Sequence, residues 1–275
     1  MPEAFRLNYI GPMTGRPRYY ANDYSRDVMA LDPRPVAVED ARSRTQPPHT
    51  LTREGFQLVP HTSAVADFRD PEQLSRVYRL EMQRLLHELT GADEVIFGAH
   101  PVCRFARSPG PRLTVSGKLY NSRPGNFVHV DINDATAVAL AKRYQPKHRS
   151  QPVRRFAHYN LWRAFSPPPQ DVPLAVCDSR SLSATDVIEA DAMMDIPGKS
   201  EYSYVSLVIR HNPRHRWVYF SHMHRDELLV FKSHDSDDSQ PSHVPHAAFD
   251  NPTCPAGHAP RASIEMRGIA YWYEH

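Results

Sequence analysis

Cysteine and long apolar runs are both scarce in this sequence, and each scarcity excludes a class of protein. The 3 cysteines are an odd number without a C-x-x-C spacing, which excludes a disulfide scaffold and predicts a reducing compartment, the cytoplasm. No stretch approaches the ~20 apolar residues that cross a bilayer. The first residues include an early acid and no apolar run, so we expect neither a secretory signal nor a membrane partner.

An excess of charge of one sign is also missing. The chain has 33 basic and 31 acidic side chains, a net charge of +2. The basic residues are scattered, apart from a small group at residues 149–155 that is typical of a solvated loop. A net charge this small produces an electrostatic field too weak to attract nucleic acid. The sequence therefore predicts no nucleic-acid partner and leaves a small molecule as the expected one.

Glycine is scarce while proline is abundant. The 275 residues include 11 glycines and 26 prolines, against average usage of about 7% and 5%. The prolines interrupt the chain too often for long helices, and their clusters mark loops. A chain of this length is expected to form one large domain. We predict a single domain over residues 1–275, in which the polar, proline-rich residues 1–60 form an arm packed over the main body.

Local patterns predict two helices followed by several short strands. Apolar residues keep a 3.6-residue period over Pro71–Leu89, with Asp70 as the N-cap and Gly91 at the end, and a second helix is predicted over Asp134–Tyr144. The predicted strands that follow are Val153–Trp162, Leu174–Cys177, Tyr202–Ile209, Trp217–Phe220, Leu228–Phe231 and Ile264–Trp272. This order favours a mainly β protein with flanking helices and a jelly-roll core.

The strongest chemical signal is a His-x-Asp motif. Composition alone gives roughly two His-x-acid matches, and two are present, at His129–Asp131 and His224–Asp226. The first lies in an extended segment, where alternate side chains share a face, whereas the second lies in a polar stretch typical of an exposed turn. With His246, the first motif supplies two imidazoles and one carboxylate, a set that leaves positions on an iron ion open for a keto acid and oxygen.

An arginine follows the third candidate ligand. Arg261 begins a predicted strand, and Ser263 and Arg267 share its face. A planar guanidinium is the preferred bidentate partner of a carboxylate, and a serine hydroxyl can add one hydrogen bond. Arg267 is a second candidate for the same task. His215 is a rival for the third ligand position, although it lies in a turn before a strand.

Several blocks of the sequence, spread over about residues 60–273, resemble one family as a set. They are Phe127-Val-His129-Val-Asp131, Tyr159-Asn160-Leu-Trp162-Arg163, Asp171-Val-Pro-Leu174, Asn212-Pro-Arg-His215-Arg-Trp217, Asp226-Glu227-Leu-Leu-Val-Phe-Lys232, Pro245-His246-Ala-Ala-Phe249 and Pro260-Arg261-Ala-Ser-Ile264-Glu265-Met-Arg267. The chain resembles the hydroxylase/desaturase family of secondary metabolism, which includes a cephem methoxylase component and a fungal endoperoxide-forming enzyme.

The resemblance implies an Fe(II)/2-oxoglutarate-dependent dioxygenase with a double-stranded β-helix core. It implies His129, Asp131 and His246 as iron ligands and Arg261 as the partner of the distal carboxylate of 2-oxoglutarate. O2 would complete the reactants, and hydroxylation, desaturation or ring closure of a natural-product or amino-acid-derived substrate would follow.

Further residues are candidates for the pocket. Tyr120 could reach 2-oxoglutarate, and Asn160 or Arg163 could contact a carboxylate. Trp162 and Tyr202 could line the substrate pocket, which we expect to be completed by the arm and by loops at about 142–155 and 183–200.

Two other functions stay open at this point: an iron oxidase of the same fold that does not use 2-oxoglutarate, and a non-catalytic β-sandwich binding protein. A homodimer is plausible for the family.

Overall fold

The structure is a computed structural model that describes residues 3–43, 47–98, 100–106, 114–115, 118–119, 121–122, 124–196 and 198–274. Its strands are β1 Glu3–Ile10, β2 Arg18–Tyr20, β3 Leu31–Asp40, β4 Phe56–Pro60, β5 Glu94–Ile96, β6 Val102–Phe105, β7 Thr114–Val115, β8 Lys118–Leu119, β9 Asn121–Ser122, β10 His129–Val130, β11 Val153–Ala164, β12 Leu174–Cys177, β13 Val187–Met194, β14 Tyr202–Ile209, β15 Trp217–Tyr219, β16 Glu227–Asp235, β17 His246–Ala248 and β18 Ala262–Tyr273.

The helical segments are few and lie outside the sheets. One continuous helix consists of α1 Pro71–Gln73, a π-helical turn Leu74–Tyr78 and α2 Arg79–Thr90, and a separate helix is α3 Asp134–Tyr144. Short 3₁₀ turns are Tyr24–Arg26, Ala41–Ser43, Ser179–Ser181 and Ala184–Asp186.

Two large sheets form the body of the protein among the described residues. The nine-stranded sheet has the order β1-β3-β15-β12-β17-β10-β14-β13-β2. The seven-stranded sheet has the order β4-β16-β11-β18-β6-β9, with β5 beside β18. Side chains from both sheets meet in one buried cluster, in which Trp162 and Phe231 of the second sheet pack with Val176 and Val218 of the first. The predicted mainly β architecture with flanking helices is confirmed.

The long helix covers the outer face of the seven-stranded sheet. Its buried residues Leu74, Tyr78, Met82 and Leu86 pack in one cluster with side chains of β11, β16 and β18. The predicted ends are confirmed. The Asp70 carboxylate accepts a hydrogen bond from the Glu72 N–H, and Gly91 closes the helix with φ of 61°, a left-handed conformation that favours glycine.

The two faces of β11 have different environments, and this difference positions the candidate site. Tyr159 and Leu161 point outward and pack beneath the helix. Asn160 and Trp162, at the alternate positions, point inward to the space between the sheets. Alternate side chains of a strand share a face, so a side chain of β11 can reach that space only if it lies an even number of residues from Asn160.

Residues 1–60 contribute strands to both sheets. β1, β2 and β3 belong to the nine-stranded sheet, and β4 pairs with β16 of the other. The sequence-based description of this segment as a covering arm understated its role. The predicted loop at 183–200 was also wrong in part, because Val187–Met194 forms a strand paired with both β14 and β2. Among the described residues, none of the helices has the length and apolar character needed to cross a membrane.

Replacement of Leu86 tests the packing of the helix on the sheet. Leu86 is fully buried, so Leu86→Ala should lower the free energy of unfolding by about 2–5 kcal/mol, because it removes buried methyl groups and leaves a cavity. Leu80 lies on the same helix but is 50% exposed, and Leu80→Ala should change the value by less than about 0.5 kcal/mol. Urea unfolding measures both, and equal losses in the two variants would contradict the described packing.

Candidate metal centre

The register of two neighbouring strands places two imidazoles side by side. β10 pairs with β17 in antiparallel fashion, and His129 lies directly opposite His246. Directly opposed residues in such a pair share a face, and the two ring centroids are 4.3 Å apart. His246 is also paired with Val176, whose side chain is in the cluster between the sheets. Both histidines therefore face the interior.

Asp131 follows β10 and completes a three-residue cluster. Its Oδ1 lies 3.9 Å from Nε2 of His129, and its Oδ2 lies 3.8 Å from Nε2 of His246. One ligand atom from each residue lies within 4.8 Å of the others, and all three side chains are buried. These separations leave room for a single metal ion. The structure thus brings together the three residues that the sequence nominated as ligands.

Each imidazole is held with one nitrogen free. Nδ1 of His129 lies 2.8 Å from the carbonyl oxygen of Phe127, and Nδ1 of His246 lies 3.2 Å from that of Val244. Neutral rings donate the Nδ1 hydrogen to these carbonyls, so each Nε2 lone pair points toward Asp131. Burial, together with the adjacent His246, lowers the pKa of His129 to about 3. His129 is therefore neutral at pH 7, the form in which histidine binds metal.

The opposite sheet holds the Asp131 carboxylate from both sides. Nη2 of Arg267 donates to Oδ1 at 2.6 Å, and Nδ2 of Asn160 donates to Oδ2. Asn160 is itself fixed by a 2.7 Å hydrogen bond from the hydroxyl of Ser233. Burial opposes ionisation of Asp131. Electrostatic interactions with Arg267, His246 and His129, together with the hydrogen bond from Asn160, nevertheless hold the pKa of Asp131 well below the usual range. The carboxylate is charged and oriented before a metal binds.

Arg267 of β18 and Arg261, which directly precedes that strand, differ in their ion pairing. Arg267 forms ion pairs with Asp131 and with Glu265 at 2.6 and 2.7 Å. Arg261 is 1% exposed. Among the residues that the structure describes it has no salt bridge, and its Nε has no hydrogen-bond partner. Its Nη1 donates to the carbonyl of Val172. Burial and the nearby Arg104 lower the pKa of Arg261 to about 9, which leaves it charged at pH 7.

Other predicted site residues fall in different places. Trp162 is buried between the sheets, with its ring centroid 5.7 Å from the Arg261 guanidinium carbon. Ser263 is fully buried and donates to the Arg104 carbonyl. Tyr202 is 54% exposed at the start of β14.

The structure does not bring Arg163 to the cluster. Its Nη1 donates to the carbonyls of His61 and Arg225, and its guanidinium lies near the rings of Phe68 and Tyr78, on the helix side of β11. Placing Arg163 in the pocket is therefore not supported, because Arg163 lies three residues from Asn160 and so on the opposite face of β11. Tyr120 lies outside the described residues.

The sequence did not indicate the aromatic wall beside the cluster. Val208 lies opposite His129 in β14, so Ser206 and Tyr204, at alternate positions before it, share its face. Tyr19 of β2 joins this face through Ala192, which pairs with both Tyr19 and Tyr204. The alternation in Tyr202–Ile209 could have suggested Tyr204, but no local signal indicates Tyr19.

The remaining histidine candidates lie elsewhere. His215 is 3.2 Å from both the Tyr9 hydroxyl and an Asp186 oxygen, in a buried network apart from the three-residue cluster. His224 and Asp226 are exposed in a turn. The interpretation of the second His-x-Asp motif as a surface turn is therefore confirmed.

Comparison with known proteins identifies the family. A family model described as "YDMC: Oxidoreductase/YMDC permease-like domain" matches residues 7–271. The alpha-ketoglutarate-dependent dioxygenase tstK of Talaromyces stipitatus is 30% identical over 229 residues, which are 81% of this chain and 80% of that protein. The hydroxylase/desaturase efuI of Hormonema carpetanum is 29% identical over 89% of this chain and 85% of its own. The chain belongs to the hydroxylase/desaturase family of Fe(II)/2-oxoglutarate-dependent dioxygenases.

A solved structure shows the fold of this dioxygenase family. The iron and alpha-ketoglutarate-dependent endoperoxidase NvfI superimposes with a TM-score of 0.77, at 22% sequence identity and over 98% of both chains. The likeness extends across both sheets and the helices, so the predicted jelly-roll core is confirmed.

Gly125 provides a test of the His129 position. A Cβ at residue 125 would lie 2.8 Å from Cε1 of His129, so Gly125→Ala should displace the imidazole and lower the Fe(II) affinity by about 10-fold or more, as changes around metal ligands do. Asn126→Ala alters an exposed neighbour in the same turn and should leave the affinity unchanged. Iron titration measures the affinity, and urea unfolding checks that both variants stay folded. Wild-type affinity in folded Gly125→Ala would contradict the placement.

Proposed function

We propose that this dioxygenase holds Fe(II) with His129, Asp131 and His246 and oxidises a small natural-product or amino-acid-derived substrate. The observation that carries the proposal is the cluster itself: two imidazoles with free Nε2 atoms and one ionised carboxylate, all buried between the sheets. Such a set occupies one face of an octahedral ion and leaves the other positions open. Iron bound there with 2-oxoglutarate and O2 supplies the oxidising power for an unactivated C–H bond.

Arg261 is the best candidate to hold the distal carboxylate of 2-oxoglutarate. Its guanidinium lies over Trp162, two residues along β11 from Asn160, which contacts Asp131. Two residues of a strand span about 7 Å, comparable with the length of an extended five-carbon diacid. A buried guanidinium without a carboxylate partner is costly unless an anion binds it. Ser263 lies on the same face, and its hydroxyl would leave the Arg104 carbonyl to donate to the diacid.

Arg267 and Asn160 have a different proposed role. Both already donate to Asp131, and Arg267 is also paired with Glu265. We assign them to positioning of the ligand carboxylate rather than to direct contact with 2-oxoglutarate. Hydrogen-bonded partners of this kind orient metal ligands and raise metal affinity.

The substrate should approach along the face of β14. Tyr202 lies at its exposed end, and Tyr204 and Ser206 follow at alternate positions toward His129. Tyr19 closes this side from β2. Tyrosine rings with polar tips suit a substrate that has both apolar carbon and oxygen functions. A medium-sized natural product or an amino-acid derivative fits this wall.

The cytoplasm remains the proposed location, and a homodimer remains plausible. Cys103, Cys177 and Cys254 are all free thiols, two of them buried, as expected for a reducing compartment.

Loss of any one ligand should abolish iron retention. Wild-type protein loaded anaerobically should hold about one iron per chain, whereas His129→Ala, Asp131→Ala and His246→Ala should each hold less than about a tenth of that, because a two-ligand site binds weakly. His224→Ala and Asp226→Ala alter the exposed second motif and serve as matched controls. Elemental analysis after desalting measures the ratio, and unchanged iron in the first three variants would overturn the ligand assignment.

Replacement of Arg261 should weaken 2-oxoglutarate binding without loss of iron. Arg261→Gln should raise the Kd for 2-oxoglutarate about 30-fold or more, equivalent to about 2 kcal/mol, because it removes one partner of a buried charge pair. Arg267→Gln should mainly lower iron affinity, and exposed Arg76→Gln should change neither.

Anaerobic calorimetry on iron-loaded protein separates the outcomes. Wild-type 2-oxoglutarate affinity in Arg261→Gln would reject this arginine as the anchor. Iron retention without any 2-oxoglutarate binding by the wild type would favour an oxidase that uses oxygen alone.

A further inference from the structure

A second group of metal-ligating side chains lies beside the first but shares none of its residues. Asp134 is the first residue of α3, His234 is near the end of β16, and His243 precedes β17. Nδ1 of His234 and Nε2 of His243 each lie 2.9 Å from Oδ1 of Asp134. One ligand atom from each residue lies within 4.8 Å of the others. Two nitrogens thus converge on one carboxylate oxygen.

The imidazole of His234 directs its Nδ1 toward this group. The ring is stacked on Phe156 at a centroid distance of 5.4 Å, and its side chain is 8% exposed. Its Nε2 is buried and has no hydrogen-bond partner. Nearby His158 is occupied elsewhere, because its Nε2 lies 3.0 Å from the Ala137 carbonyl. Stacking on Phe156 therefore helps to hold His234 with Nδ1 facing Asp134.

His243 is held in an unusual conformation at the same point. Its φ is 52°, in the left-handed region, which is uncommon outside glycine although asparagine, aspartate and histidine adopt it more often than other residues. Its Nε2 lies 2.9 Å from Oδ1 of Asp134. Strained residues of this kind are frequent at ligand clamps. The ring is therefore held with Nε2 facing the same carboxylate oxygen as Nδ1 of His234.

We propose that Asp134, His234 and His243 form a second metal site that binds Zn²⁺, with water as the fourth ligand. Two imidazole nitrogens and one carboxylate oxygen are typical zinc donors. Tetrahedral bonds of about 2.0–2.2 Å separate ligand atoms by roughly 3.3–3.5 Å, so the Asp134 oxygen needs to move by about half an ångström. The Asp134 side chain is 70% exposed and free to do so. The open side gives the ion access from solvent.

The position of this site gives it a structural role. Asp134 lies three residues after Asp131, and His243 lies three residues before His246. His234 follows Ser233, whose hydroxyl holds Asn160 against Asp131. A Zn²⁺ ion would therefore join the three segments that position the first cluster. It would also close the connection between β16 and β17, residues 236–245.

Zinc titration of metal-free full-length protein tests the proposal, with Zn²⁺ alone as the probe at both clusters. Wild-type protein should bind two Zn²⁺ per chain after desalting. His243→Asn should bind one, because asparagine tolerates the left-handed backbone but lacks the imidazole. His246→Ala should also bind one, and the double variant none. His148→Ala, which removes an exposed histidine outside both clusters, should still bind two.

Thermal unfolding in the His246→Ala background provides an independent readout. Zn²⁺ should raise the Tm of His246→Ala by several degrees and should leave that of the double variant unchanged, because only a bound ion stabilises the folded state. Equal Tm values of these two proteins without zinc would show that His243→Asn folds normally.

The two proposals fail in different ways. A single zinc in the wild type, lost with His246→Ala and kept with His243→Asn, would overturn the second site and leave the iron assignment intact. Two zincs in the wild type, with one lost in His243→Asn and none lost in His246→Ala, would uphold the second site and overturn the first. No zinc-dependent rise in Tm for His246→Ala would also reject the second site.

Discussion

The antiparallel pairing of β10 with β17 is the constraint on which the candidate metal centre depends. Because His129 and His246 are opposed across this pair, their imidazoles face the same side without any special loop. β10 has only two residues, but β14 and β17 flank it on both sides. A shift of one residue in either pairing would move an imidazole to the other face of the sheet. Metal binding is therefore a property of sheet register.

The two sheets supply different parts of the site. The nine-stranded sheet contributes the histidines, and the seven-stranded sheet contributes Asn160, Arg267 and Arg261. The ion pair between buried Asp131 and half-buried Arg267 adds little net stability, but it orients the Asp131 carboxylate. The two arginines therefore have different proposed roles. Arg267 of β18 is paired with protein carboxylates, and we propose that Arg261, which directly precedes β18, binds an incoming anion.

Local signals were sufficient to predict much of the fold from the sequence. The long helix was predictable because Asp70, Pro71 and Gly91 define its ends and one apolar stripe defines its buried face. β13 was missed because Glu189 and Asp191 give Val187–Met194 a polar character, and its pairing with β14 overrides this composition. β2 and β4 were missed because their partners, β13 and β16, lie far along the chain, and β1 and β3 are separated by residues 11–30 rather than by a tight hairpin turn.

The site could be predicted only where the alternation of side chains along one strand, or the family resemblance, indicated it. His129 and Asp131 share a face by alternation, and the same rule separates Arg163 from Asn160, although the sequence-based assignment overlooked it. The roles of Arg267 and Tyr19 depend on pairings between distant segments. No pattern within one segment indicates such contacts, since register across a sheet is set by tertiary packing.

The order of strands in the nine-stranded sheet has a consequence for how the chain folds. β1 and β2, the first strands to be synthesised, occupy its two opposite edges. β3 next to β1 pairs with β15 through Val38 and Trp217, and β2 pairs with β13. β1 can pair with β3 early, but the β1–β3 pair and β2 must wait for β15 and β13 before they join the sheet. Non-local pairing of this kind is slow, and unpaired edges are exposed to aggregation meanwhile.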